Sequence, residues 1–150
     1  MSFALFTDST ASLTETEYNA SNVGVLSLSL SLNDEEILCF EPGKAFDSEA
    51  FFQRMREDST LVMKTSMVNT SAFLTAFEPH LQAGEDVLYL GMAGGISGTC
   101  GAGKVAAEVL AKKYPERKVL VVDTLTAVIG QGMILREVVN TVGKPGKLGA

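Results

Sequence analysis

The stretch "YLGMAGGISGTCGAGKVAAEVL", residues 89–110, decides the fold. The apolar run "DVLYL" (86–90) leads into it as a strand, a glycine-rich loop follows, and the Ala- and Val-rich segment 98–113 reads as a helix. Parallel strands need a helical crossover, so strand, loop and helix in that order point to an α/β sheet. The same residues raise a competing possibility. Gly98–Lys104 fits G-x-x-x-x-G-K, the opening of a phosphate-binding loop, yet Val105 stands where that motif needs a hydroxyl for Mg2+.

Outward from this segment, "FALF" (3–6) is a buried strand feeding the polar "TDST", and "KVLVVD" (118–123) is another apolar strand. "VLSLSLSLN" (25–33) alternates strictly, with Leu26, Leu28, Leu30 and Leu32 on one side and serines on the other, the period of a half-buried strand near an edge. "NDEE" (33–36) then turns into "ILCF" (37–40), which makes 25–40 a hairpin. Asp47 caps a helix over 48–58 with Phe51, Phe52 and Met55 on its inner face. "LVMK" (61–64) is a short strand before the polar loop "TSMVNTS" (65–71). In 71–83, Phe73, Phe77 and Leu81 recur at helical spacing, although Pro79 should kink or fray that helix. A last apolar helix spans 126–140. The fold class is therefore α/β, a mostly parallel sheet flanked by helices with a short β-hairpin near the edge. It occupies residues 1–142, and "GKPGKLGA" (143–150) is composed like a tail.

A chain of 150 residues, 46% hydrophobic and 20% charged, suits one globular domain. Its net charge of −6 opposes binding to nucleic acid or anionic membranes. Two cysteines, Cys39 and Cys100, and one histidine, His80, give no basis for a structural zinc site, so no metal or cofactor is expected. The N-terminus lacks the basic region of a signal peptide, and no apolar run nears the roughly 20 residues of a membrane span. These features point to a cytoplasmic protein.

Ligands of open α/β sheets bind beyond the carboxyl ends of the strands. Four loops are expected there, at 7–10, 65–71, 91–99 and 123–126, and all are rich in hydroxyls and poor in charge. Their charged residues are Asp8, Asp123 and Lys64 at a loop edge. A triphosphate needs Lys, Arg or metal to neutralise it, whereas one carboxylate can be held by hydroxyls and the amides of a helix N-terminus. The rim suits a monoanion. Lys104 also lies about two turns into the helix, which further weakens the phosphate-loop reading. That alternative, a nucleotide-dependent phosphotransferase using Gly98–Lys104 and Asp123, draws support from "VLVVD", which resembles a Walker B strand. Asp8 and Asp123 read as acceptors for loop amides rather than metal ligands. No serine has the G-x-S-x-G context of a hydrolase nucleophile.

"TDSTASL" (7–13), "KTS" (64–66) before a Phe-bearing helix, "ISGT" (96–99) and "VVDTLTAVIGQG" (121–132) occur in that order. Together they resemble the N-terminal domain of the DegV family, the fatty-acid-binding proteins that serve bacterial fatty acid kinase. The resemblance implies a non-catalytic carrier of one long-chain fatty acid, its carboxylate held by loop hydroxyls and its acyl chain in an apolar tunnel. It also implies a partner kinase subunit that phosphorylates the bound carboxylate. Carried over by motif, Thr65 and Ser97 are the carboxylate ligands. Ser66 joins them, and the Gly94, Gly98 and Thr99 amides add backbone donors.

The sequence departs from the family pattern where Met67 and Val68 replace Gln-Pro, Ala93 and Gly94 replace a serine pair, Cys100 a tyrosine and Val128 a serine. Fewer hydroxyls remain around the head-group. Family members continue into a second domain that closes over the acyl chain. The 150 residues match only the first, which leaves open a fragment, a truncated product, or a domain that takes its lid from another subunit.

Overall fold

The computed structural model describes residues 2–33, 35–44 and 46–142; the expected tail at 143–150 and Asp34 of the expected turn lie outside them. In chain order the elements are β1 (Phe3–Asp8), α1 (Glu15–Ser21), β2 (Gly24–Leu26), β3 (Ser29–Leu32), β4 (Glu35–Leu38), α2 (Ser48–Glu57), β5 (Met63–Ser66), α3 (Thr70–Gln82), β6 (Asp86–Gly91), α4 (Thr99–Lys113), β7 (Val119–Asp123) and α5 (Ile129–Val142). A single turn of 3-10 helix, Ser9–Ala11, follows β1.

A parallel sheet runs in the order β2-β1-β6-β7. Its strands are apolar on both sides because helices cover both faces. One face packs Ala4, Phe6, Val87 and Tyr89 against Phe73, Phe77 and Leu81 of α3 and Ala102, Ala106 and Leu110 of α4. The other packs Leu5 and Leu90 against Tyr18 of α1 and Leu135 of α5. Phe73, Phe77 and Tyr89 interlock edge to face, with ring centroids 5.0 Å apart for Phe73–Tyr89 and 5.4 Å for Phe73–Phe77. The crossover helices place the carboxyl ends of β1, β6 and β7 side by side, with Thr7 opposite Leu90 and Gly91 opposite Asp123.

Five details differ from the sequence reading. The alternating run 25–33 is not one strand. It leaves the parallel sheet after Leu26 and joins an antiparallel sheet, order β4-β3-β5, at Ser29. The break is fixed from a distance, since the Leu28 amide donates to Ser9 Oγ (3.1 Å) and the Phe40 amide to Ser27 Oγ (2.8 Å). Second, β5 extends to Ser66, so Thr65 and Ser66 stand on a strand rather than in a loop, paired with Leu30 and Ser29. Third, α2 is capped by Asp47, whose Oδ1 accepts from the Ala50 amide (2.9 Å), but it buries none of its residues. Phe46, Phe51 and Phe52 pack on one another instead of on a sheet. Fourth, α3 passes through Pro79 and ends at Gln82. Buried Leu81 anchors its last turn, the Ala83 amide bonds the Pro79 carbonyl (3.0 Å), and Gly84, at φ 82°, closes it. Finally, α1 is an element that the sequence reading does not contain; its Thr14–Glu17 capping box holds the N-terminal turn.

Candidate functional site

The strand-end loops are tied together from below by Asp8. This carboxylate is fully buried at the end of β1 and accepts from the Thr10 amide (3.0 Å), the Tyr89 hydroxyl (2.7 Å), the Met92 amide (3.1 Å) and the Thr10 hydroxyl. Every partner donates, so a buried charge is satisfied without a cation. Burial and the neighbouring Asp8 charge push the Tyr89 phenol far above its ordinary range, so it stays a donor. Gln131 of α5, also fully buried, extends the network. Its Nε2 donates to Thr7 Oγ1 (3.1 Å), and its Oε1 lies 2.7 Å from the Thr10 hydroxyl. The reading of Asp8 as a turn-fixing acceptor agrees with this geometry. Gln131 falls within "VVDTLTAVIGQG" (121–132), but an amide in a helix carries no sequence signal of such a role.

Above this layer runs the 91–99 loop. Asp123 closes it at the β7 side, its Oδ2 accepting from the Gly94 amide (3.0 Å) and its Oδ1 from the Leu125 amide (2.9 Å). Those two bonds, with the Lys104 charge, hold the Asp123 carboxyl below its usual range. The Ala93 amide reaches across to the Thr126 carbonyl (2.8 Å) and fastens the loop to the one beyond β7. The Ile96 and Ser97 amides both turn back onto the Ala93 carbonyl. Ser97 is half-buried at the head of α4. Its Oγ accepts from the Thr99 amide (3.2 Å) and lies 2.9 Å from the Thr99 hydroxyl, which is itself fully buried. Gly98 is the helix cap and makes no side-chain contact of that kind. The amides of Gly98, Cys100 and Gly101 have no hydrogen-bond partner among the described residues, the usual state of a helix N-terminus.

The residues read as ligands from the sequence come from two segments. Gly94, Ser97, Gly98 and Thr99 share one loop and helix start, with Gly94 and Gly98 exposed. Thr65 and Ser66 lie exposed at the end of β5. Met67 joins the two: a Cβ built on Gly98 would sit 2.6 Å from its Sδ, so the thioether lies directly over that glycine. Gly94 gives its amide to Asp123, which removes one of the expected backbone donors.

The phosphate-loop alternative fares poorly against this geometry. Residues 99–104 are already helical, and Gly103 is buried, with a Cβ there reaching 3.2 Å from the Phe73 ring, so the segment cannot wrap a phosphate chain. Val105 is exposed and its side chain offers no hydroxyl. Among the described residues there is no cluster of three or more His, Cys, Asp or Glu able to hold a metal, and no helix is long and apolar enough to cross a membrane.

A two-faced parallel α/β domain with a hydroxyl-rich rim poor in cations is the class that fold and site define. The family profile described as an uncharacterised protein of the DegV family matches residues 2–146, and the chain belongs to that family. It is 33% identical over 137 residues to a DegV domain-containing protein of Clostridium perfringens, covering 89% of this chain and 45% of that one. It is also similar to a Thermus thermophilus DegV family protein described for fatty acid binding (TM-score 0.79, 26% identity, 99% of this chain and 50% of the other). A stearic acid-binding protein from Eubacterium ventriosum shares the fold (TM-score 0.82, 20% identity, 93% and 47% covered). The chain spans about half the length of these relatives.

Proposed function

We propose that this chain is the head-group-binding half of a cytoplasmic, non-catalytic fatty-acid carrier. Thr65 and Ser97 hydrogen-bond the carboxylate, Ser66 assists at the end of β5, and the Gly98, Cys100 and Gly101 amides, without a partner among the described residues, add the field of the α4 N-terminus. A fatty acid kinase is the partner to which the carboxylate is presented. One observation carries the reading. A half-buried serine stands at the head of a helix whose first amides have no partner among the described residues, and the adjoining loops supply hydroxyls and glycines but almost no cations. Such a site stabilises one negative charge and leaves a triphosphate largely unneutralised. The fatty acids bound by the Thermus and Eubacterium proteins support a lipid as the owner of that charge.

Native mass spectrometry of the recombinant protein tests it. The wild type should carry a co-purified long-chain fatty acid, and the Thr65→Ala/Ser97→Ala double variant should emerge empty while keeping its fold. Undiminished acid in the double variant would mean that the carboxylate lies elsewhere.

A further inference from the structure

Thr99 is fully buried, so its hydroxyl cannot meet a ligand at the rim, yet that hydroxyl lies 2.9 Å from Ser97 Oγ. A buried hydroxyl proton must find an acceptor, because leaving it unpaired costs more than a hydrogen bond returns. Ser97 Oγ is the acceptor available to it among the described residues. Ser97, half-buried and facing the loop, is under no such constraint, since its own proton can point to solvent or ligand. The Thr99 amide donates to the same oxygen (3.2 Å). Two donors from one residue therefore occupy both lone pairs of Ser97 Oγ.

We infer that Thr99 is a positioning residue that makes Ser97 an obligate hydrogen-bond donor. With its lone pairs filled from below, Ser97 offers an incoming group only its proton. It favours a head-group that only accepts, such as a carboxylate, and disfavours one that must donate, such as an ammonium. The inference rests on the reading of Ser97 as a carboxylate ligand. It adds the source of the head-group preference and moves Thr99 from direct contact to indirect control. Thr99→Val keeps the shape and removes the hydroxyl, so one lone pair of Ser97 Oγ is released and the serine can meet an incoming group as acceptor as well as donor.

The test is titration of the purified, delipidated protein with stearate, with thermal melting run alongside. Ser97→Ala should weaken binding. Thr99→Val should weaken it by roughly three- to tenfold, the worth of one hydrogen bond, at near-unchanged melting temperature, and Thr99→Ser should restore it. In the Ser97→Ala background, Thr99→Val should have no further effect, because it acts through the serine. If Thr99→Val does not fold, Thr99→Ala removes the same hydroxyl without placing a second methyl group beside Ser97. If Ser97→Ala weakens binding but the Thr99 variants bind as wild type, the inference fails and the carboxylate assignment stands. If the losses add in the double variant, Thr99 is merely structural and the inference fails as well. If Ser97→Ala itself changes nothing, the underlying assignment falls, and the inference with it.

Discussion

The parallel sheet and the antiparallel sheet of this chain are built to different standards. In the first, both faces are covered, Leu5, Phe73, Phe77 and Tyr89 are fully buried, and the loops at the strand ends are cross-braced through Asp8, Gln131 and Asp123. In the second, Leu30 and Leu32 of β3 are buried, but β5 is exposed along its whole length and α2 buries nothing. Between α2 and this sheet lies an open cavity of about 490 Å3, walled by Leu32, Ile37, Phe40, Phe46 and Phe51. The proposed carboxylate site spans both regions, with Ser97 on the braced side and Thr65 on the exposed side. Half of the site is thus preorganised by the core, and the other half depends on a sheet with little packing of its own.

The sharpest way to break this contrast is to remove one phenylalanine from each region. Phe77 is fully buried and packs edge-on to Phe6 at 5.1 Å, so Phe77→Ala should cost about 3–5 kcal/mol in urea unfolding. Phe52 on α2 is 52% exposed, and Phe52→Ala should stay within about 0.5 kcal/mol. Similar losses for the two would show that α2 packs in solution far more tightly than its exposure indicates.

A smaller effect sharpens the role of the bracing. Tyr89→Phe keeps the ring in its aromatic cluster but takes one donor from the buried Asp8 carboxylate. The expected cost is about 1.5–3 kcal/mol, that of a hydrogen bond to a charged group. Hydrogen exchange should quicken at the Met92 amide, which shares the same Asp8 oxygen, while β5 amides should be unaffected. Equal quickening in both regions would mean that they are not separate.

How much of this was legible in the sequence follows the same division. The parallel sheet reads directly because a strand covered on both faces must be apolar throughout, as "FALF" and "DVLYL" are. Three of the four expected carboxyl-end loops, 7–10, 91–99 and 123–126, and Asp8 as an acceptor there, follow from that, whereas 65–71 leaves a strand of the antiparallel sheet. The antiparallel region misleads because its signals are local while its constraints are not. An unbroken leucine alternation hides the change of sheet at Ser27–Leu28, which a hydroxyl from Ser9 imposes. Asp47 correctly marks the start of α2, but an amphipathic pattern does not say what its apolar face will meet. The burial of Thr99, on which the Ser97 argument turns, depends on helix phase and on the packing above it. Neither can be read from "SGT". The helix α1 is legible in the sequence, since Thr14-x-x-Glu17 is a capping-box spacing, although its short segment carries little apolar periodicity beyond Tyr18.

That capping box gives the smallest predicted effect. Glu17 accepts from the Thr14 amide (2.8 Å) and from Arg136 of α5 (2.7 and 2.9 Å), bonds that pull its carboxyl from 4.5 down to about 2, the backbone bond contributing most. A carboxyl lowered on folding adds stability that is fully present above its unfolded value and disappears as pH falls through the folded one. Glu17→Gln should therefore melt slightly below wild type at pH 7. The gap should narrow below pH 4.5 and vanish near pH 2 as wild-type Glu17 takes up its proton. Because the pair is exposed, added salt should shrink the Arg136 share of the gap and leave the capping bond in place. A gap unchanged across that pH range would place its origin in packing, and would bring the α1–α5 face closer in character to the core than to its rim.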